Sequence, residues 1–559
     1  MRPPLEPSAK IFQTLTSHFI VIARPAQTAK GLFSELYSFG DSLTSYGDYG
    51  SYIQKSVLAP TALPAWSGIT FSNANYGCQL GLRNLLGITT KSEEPPANLG
   101  IPNPTYLLAN TYIATPGIGT AGGPSHAIGG ATSSAVSLYD VITVPVSEGG
   151  QVPLSTAYPK LAKTGVQNQI LAALRQGVRP DSNELTIIQS GSNDLLIASI
   201  EANPDIEGVL DQVMVNMRDN LTVQLRACGS RQLMTFALAD FRGVVDGDAY
   251  QMPFLSGLLL QAKQPDAPEW VTSWASFVEA GGLEQFQTDY AAMVKELNTE
   301  FPYAKLIYFS PEFGDNWQSY GPKLGNFTSY GIDNTFGFAQ STGEQLTEDQ
   351  TDNFLYFDTI HNTQSGQEMT AKAMFLTLEA NRTAIEAAIL VDQQVGSQRN
   401  DLLVASKQNS ELVGKAGNDR LVGREGNDLL DGDRGCDVLS GGGGTDWLSG
   451  GEGSDRLCGG KGADFFSWQA KDVKSSWKDT ITDFEGNKGD RLGITAILDG
   501  DNPFQNPGWN YIGNGAFTGA AAELRFQHGW LLGDVNGDGK ADLNIHLLNV
   551  RSFDQHWIS

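Results

Sequence analysis

The sequence predicts an α/β domain, a parallel sheet covered by helices on both faces, followed by an all-β domain of short repeated strands. Two observations predict the first domain. The apolar runs Leu185–Ile188, Leu233–Leu238 and Leu306–Phe309 read as buried strands, and segments with apolar residues at helical spacing lie between them. One observation predicts the second. From Gly396 through Ser467 the chain keeps a nine-residue register of glycine and aspartate with an apolar residue at a fixed place.

Size and charge narrow the possibilities. At 559 residues the chain exceeds one ordinary core, so several domains are expected. A net charge of −25 argues against nucleic acid, whose phosphates would be repelled, and suits a secreted or cation-binding protein. The four cysteines show neither CxxC spacing nor disulfide density. No run is long enough to span a membrane. Phe19–Ala23, the longest apolar stretch near the start, is too short for a secretory signal, so export is expected to use another address.

Taken in order, residues 1–34 read as an extension, and the α/β domain is expected over 35–390. Leu36–Phe39 is a short apolar strand running into Gly40-Asp41-Ser42-Leu43. This places a hydroxyl at the carboxyl end of a sheet, where ligands bind in open α/β folds. Residues 87–125, rich in Pro, Gly and Thr, form a long insertion, either substrate-facing or simply solvated. In Ala127–Thr132 two glycines let backbone N–H groups approach a ligand closely.

A helix is expected over 157–176, with Gly177 as its stop. The strand at Leu185 leads into Gly191-Ser192-Asn193-Asp194, and Asn203 with Pro204 opens the next helix as cap and first turn. The apolar insertion at 243–281 is either a lid over an acyl site or packing on the flank of the sheet. Finally, Asp358 precedes His361 by three residues. A carboxylate so placed can hold the ring's Nδ1 and leave Nε2 as an acceptor.

Four motifs in order, FGDSL (39–43), AIGGAT (127–132), GSND (191–194) and DTIH (358–361), resemble those of the GDSL, or SGNH, hydrolases. The resemblance spans roughly residues 34–390. It implies a flavodoxin-like α/β/α sandwich in which Ser42 is the nucleophile, His361 the general base and then acid, and Asp358 the orienter of the ring. The oxyanion hole would be the Ser42 N–H, the Gly130 N–H and the Asn193 side-chain amide, with no cofactor in catalysis. Gly129 is the alternative to Gly130. The chain departs from the family pattern at His126, where Asn is common, at Asn362, where Pro is common, and at Thr44-Ser45, where a Ser-Asp pair is common. These departures bear on loop geometry and substrate preference.

The repeat units from Gly414 to Ser467 read GKAGNDRLV, GREGNDLLD, GDRGCDVLS, GGGGTDWLS, GGEGSDRLC and GGKGADFFS, preceded by two degenerate units. They resemble the RTX nonapeptide. Glycines at the first and fourth positions allow the turn, and the apolar eighth residue packs inside the coil. The resemblance implies a parallel β-roll in which Asp419, Asp428, Asp437, Asp446, Asp455 and Asp464 hold structural Ca²⁺. Without cations these carboxylates repel one another. Residues 468–559 look like the β cap that follows such rolls and carries a type I secretion address. Asp534–Asp542 begins like an EF-hand loop but has Ile545 in place of the closing Glu, so it reads as a hairpin tip or an incomplete Ca²⁺ loop.

The expected function is a secreted serine ester hydrolase of the lipase, esterase or phospholipase type, extracellular or associated with the cell surface. Its expected partners are an ester or lipid substrate and a type I secretion apparatus. The alternatives are a carbohydrate acetylesterase, or a non-enzymatic RTX adhesin with an inactive hydrolase domain. The acyl chain, the alcohol and the oligomeric state stay open.

Overall fold

The computed structural model describes residues 29–40, 82–83, 85–88, 131–137, 140–141, 143–145, 151–157, 165–178, 180, 182–238, 242–301, 303–338, 353–356, 364–390, 392–498, 502–505 and 508–558. Among these, the amino-terminal domain is built on a parallel sheet of β1 (Glu35–Phe39), β2 (Glu184–Ser190), β3 (Gln232–Ala237) and β4 (Lys305–Tyr308), in that spatial order. Leu36, Leu185, Ile187, Leu233, Met234, Leu306 and Ile307 are buried, the near-continuous apolar run expected of strands covered on both faces. Because every pairing is parallel, all four strands end on the same edge.

The longer helices among the described residues are α1 (Val166–Arg175), α2 (Ser192–Ile200), α3 (Ile206–Arg226), α4 (Pro253–Gln261), α5 (Glu269–Glu279), α6 (Gly282–Glu300) and α7 (Gln364–Ala380). α1 is shorter than the expected 157–176. Leu154–Ala157 is a separate turn, and Gly177, at φ +75°, ends the helix as expected. α3 is capped by Asp205 rather than Asn203: the Asp205 carboxylate accepts from Gly208 N at 2.9 Å, while Asn203 Oδ1 accepts from Asp205 N.

The insertion at 243–281 contributes a hairpin (Arg242–Val245 with Asp248–Gln251), α4 and α5. Leu255, Leu258, Val271, Trp274 and Val278 are buried in the main core, and Trp274 Nε1 donates to Asn203 O at 2.8 Å. These side chains pack on the flank of the sheet.

The carboxyl-terminal domain coils as two stacked parallel sheets. One contains Asp392–Val395, Ser410–Val413, Leu429–Asp431, Trp447–Ser449, Phe465–Ser467 and Arg491–Gly493. The other contains Leu402–Val404, Arg420–Glu425, Val438–Gly443, Arg456–Lys461 and Asp479–Ile481, then the cap strands, which join it in parallel through Leu543–Leu547 and continue with mixed pairing. Each turn of the coil therefore consumes two nonapeptides. Leu421 pairs with Leu439, Leu439 with Leu457 and Leu457 with Ile481; Leu430, Leu448, Phe466 and Leu492 form the facing ladder. All of these residues are fully buried. The coil does not stop at residue 467, since Ile481 and Leu492 continue the two ladders into the expected cap.

The outer face of the first sheet is covered by the amino-terminal domain. Phe465 belongs to that domain's core although its neighbour Phe466 points into the roll, the alternation inherent to a strand. Tyr303 lies 4.4 Å from Trp447 and 4.7 Å from Phe465 between ring centroids, and the buried Arg231 guanidinium stands 5.3 Å from the Trp447 ring. Burial pushes that guanidinium's pKa down to about 10. Asn409 and Asn427 also donate to Ala387 O. The two domains thus share one continuous apolar interface. Phe465→Ala should lower the unfolding free energy of the α/β domain by about 3–5 kcal/mol. Val438→Ala, at an exposed outward position of the opposite sheet, should change it by less than about 0.5 kcal/mol. Urea titration of the full chain, followed by fluorescence, distinguishes them, and equal shifts would mean that the outer face of the roll is no part of the α/β core.

Candidate active site and carboxylate ladder

Where β1 and β2 end, the chain must turn sharply off the sheet, and glycine takes both corners: Gly40 at φ +155° and Gly191 at φ +120°. A Cβ on Gly191 would be strained at that φ and would press on Leu238 Cδ2 and Val213 Cγ1, at 3.0 and 3.1 Å. Asn193 and Asp194 follow in the first turn of α2. Asn193 Nδ2 donates to Ala131 O at 2.9 Å. One N–H of the amide is spent on that bond, which fixes the orientation of the side chain, and the second N–H remains to donate. Asp194 accepts from Ser133 N at 2.9 Å and from Ser133 Oγ at 2.7 Å. The GSND turn is thereby clamped to the residues that directly follow the two-glycine motif. Asn216 and Asn220, on α3, donate to Ser133 Oγ and Ser133 O and complete a buried polar network.

Of the expected catalytic set, the described residues contain Asn193. Ser42, Gly130, Asp358 and His361 lie outside them. What is placed are the flanks: Gly40 before the serine and Ala131 after the glycine pair. The GSND turn and the glycine motif, some sixty residues apart in the chain, meet at one edge of the sheet through Asn193 and Ala131.

In the second domain the sixth-position aspartates of the six clear units, Asp419 to Asp464, are all buried. Oδ1 of each accepts from the backbone N–H of the residue eighteen positions earlier. Asp419, Asp437 and Asp455 form one ladder and Asp428, Asp446 and Asp464 the other, at 2.6–3.0 Å. The ladders run on into residues the nonapeptide pattern does not reach: Asp455 N donates to Asp479 and Asp464 N to Asp490. An aspartate two places before an apolar residue (Asp479 before Ile481, Asp490 before Leu492) repeats the Asp-x-Leu of the units and was the available signal. Fourth-position glycines, Gly417 through Gly462, all have φ between +121° and +151°, which a Cβ would strain.

Comparison with known proteins agrees with both domains. Residues 36–374 match the family model of the GDSL-like lipase/acylhydrolases, which is more than half of the chain. The chain belongs to the GDSL-like lipase/acylhydrolase family. It is therefore an ester hydrolase in the broad sense, joined to calcium-binding repeats: residues 395–430, 404–439 and 431–466 match the RTX calcium-binding nonapeptide repeat. Among solved structures the chain is similar to the AlgE6R2 subunit of the Azotobacter vinelandii mannuronan C5-epimerase, at 26% identity over 29% of this chain and 89% of that one, with a TM-score of 0.20. It is also similar to the AlgE6R3 subunit, at 24% identity over 29% and 80%, with a TM-score of 0.16. No curated protein matches the chain. No helix among the described residues is long and apolar enough to cross a membrane.

The RTX repeats imply calcium, and the residues fit it. Oδ2 of Asp419, Asp428, Asp437, Asp446 and Asp455 is buried without a hydrogen-bond partner. A Cβ on Gly423 would fall against Asp428 Oδ2 and 2.5 Å from Gly441 O; Gly414 and Gly432 have the same surroundings. Carboxylate and carbonyl oxygens, all acceptors, thus converge where the first-position glycine leaves space, which is the donor set of a hard cation. No cluster of three or more His, Cys, Asp or Glu side chains forms among the described residues, so an ion here would draw on backbone carbonyls as well. Bound there, Ca²⁺ supplies the positive charge that the ladder lacks.

In the Asp534–Asp542 loop, by contrast, Asp534 accepts from Gly537 N and Gly539 N while Asp542 accepts from Val535 N, closing the tip of the hairpin between Trp530–Asp534 and Leu543–Leu547.

Burial, reinforced by neighbouring carboxylates, pushes Asp428 up to about 6, Asp437 and Asp464 to about 7, and Asp446 and Asp455 to about 8. These values lie above the ordinary carboxylate range, so the folded metal-free roll binds more protons than the unfolded chain. Its stability is then greatest at low pH and is lost as pH rises through these values. In EGTA the melting temperature of the roll, followed by circular dichroism in the full chain, should rise as pH falls from 8 to 5. With saturating Ca²⁺ the gain on acidification should vanish or reverse, because protons then compete with the metal. A metal-free melting temperature that falls on acidification would contradict the buried ladder.

Proposed function

We propose that the protein is a secreted, calcium-dependent serine ester hydrolase of the lipase, esterase or phospholipase type. The observation that carries this reading is the fixed Asn193 amide at the carboxyl edge of the sheet, tied to Ala131 beside the glycine motif. Ser42 Oγ would attack the ester carbonyl while His361 takes its proton, with Asp358 holding the ring in the right tautomer. The oxyanion formed would receive the N–H groups of Ser42 and Gly130 and the second N–H of Asn193. His361 would then protonate the leaving alcohol, and a water activated by the same ring would release the acid from the acyl-enzyme. The roll does not enter this chemistry. Extracellular modules bind Ca²⁺ at about 10⁻⁴–10⁻³ M, so a repeat domain of this kind orders outside a cell rather than within it. That supports export through a type I apparatus that reads a carboxyl-terminal address.

Ser42→Ala and His361→Ala should each abolish hydrolysis of p-nitrophenyl acetate, and Asn193→Ala should lower kcat by about 10²–10³ with the fold retained by circular dichroism. Wild-type turnover in the Ser42→Ala protein would remove the nucleophile assignment. A p-nitrophenyl ester series from acetate to palmitate, run beside an acetylated glycan, then separates lipase-type from carbohydrate-esterase activity.

A further inference from the structure

One buried side chain at the carboxyl edge has no part in the proposed chemistry. Gln169 lies on α1 and is 4% exposed. Its Oε1 accepts from Gly40 N and its Nε2 donates to Gly40 O, both at 2.9 Å. A planar amide that both accepts from and donates to one residue does what a paired strand does for the residue opposite it. It does so at the first residue beyond β1, where the backbone leaves the sheet at a φ that favours glycine.

α1 is in turn fastened to the segment that follows the glycine motif. Val166 N donates to Thr132 O at 3.0 Å, Gln167 N to Ser134 O at 3.2 Å and Asn168 Nδ2 to Ala135 O at 2.7 Å. A Cβ on Gly165 would collide with Ser134 O and Val136 O, so the helix starts in direct backbone contact with that segment. The same segment holds Asn193 through Ala131 and Asp194 through Ser133. Gly40, the glycine motif and the GSND turn thus belong to one hydrogen-bonded unit, and the Gly40 arm of it runs through Gln169.

We propose that Gln169 is a positioning residue that sets the nucleophile loop in register with the oxyanion donors. The inference rests on Ser42 as nucleophile. Ser42 is two residues beyond Gly40, at most about 7 Å of chain, so a shift or tilt of the Gly40 peptide is passed to the serine with little slack. Displacement of a reacting atom by about 1 Å is enough to cost about 10²-fold in rate. Substrate groups remote from the reacting centre are untouched by such a shift, so kcat should carry the loss and KM should not.

Two variants test this. Gln169→Met keeps the length of the side chain and removes both hydrogen bonds. Gln169→Glu keeps an acceptor for Gly40 N but turns a second oxygen toward Gly40 O. Each is assayed with p-nitrophenyl acetate and with a fluorophosphonate probe, the label being located by peptide mass spectrometry. Rates are divided by the folded fraction from circular dichroism at the assay temperature. The expected result is a drop of about 10–100-fold in kcat and in the labelling rate of Ser42, with KM within about 3-fold of wild type. Wild-type rates in a folded variant overturn the proposal. So does a loss that only follows the folded fraction, because Gln169 is then an ordinary core residue. If the probe fails to label Ser42 in the wild-type protein, the nucleophile assignment fails first, independently of Gln169.

Discussion

The carboxyl-terminal domain of this protein depends on one uncomfortable act, the burial of a carboxylate in each of six successive half-turns of the roll. Asp419 through Asp464 are all buried, each with one oxygen held by a backbone N–H eighteen residues earlier and, in most, the other oxygen without a partner. Unpaired buried charge is among the costliest groups a fold can carry. The leucine ladder alone offsets that cost poorly, because each nonapeptide contributes one fully buried apolar side chain. The glycine at the first position explains how the arrangement persists: it leaves space beside the free oxygen and a facing carbonyl, and a divalent cation suits such a space. The same constraint sets the folding conditions of the domain, since protons or metal must neutralise what the backbone cannot.

This dependence does not stop at the roll. Phe465 lies in the core of the hydrolase domain, and Trp447 packs against both Tyr303 and the buried Arg231. The contact sits at Arg231 and Tyr303, the residues leading into β3 and β4, so it lies at the amino-terminal edge of the sheet. The proposed chemistry belongs to the opposite edge. A single sheet is thus anchored at one end by the calcium-binding repeats and presents its loops at the other. At that second edge the organising elements are polar: Asn193, Asp194, Gln169 and the α3 pair Asn216 and Asn220 tie Gly40, Ala131–Ser133 and the GSND turn to one another.

The sequence by itself determined the class of both domains, because a repeat of nine and an alternation of strand and helix are periodic and survive any local irregularity. It also determined that Asn193 would stand at the carboxyl end of a strand and that the sixth-position aspartates would line up. Only the tertiary structure decided the role of Gln169, a polar residue inside an amphipathic helix whose partner, Gly40, lies 129 positions away. The same holds for Asp479 and Asp490, whose spacing from the repeats is stretched by intervening loops, and for the insertion at 243–281, whose packing on the flank of the sheet shows only in its neighbours. It holds above all for Phe465 and Trp447, which a repeat pattern places on the outside of the coil. Periodicity reports which side of a strand a residue takes, whereas the surface that meets it there is set by contacts between segments far apart in the chain.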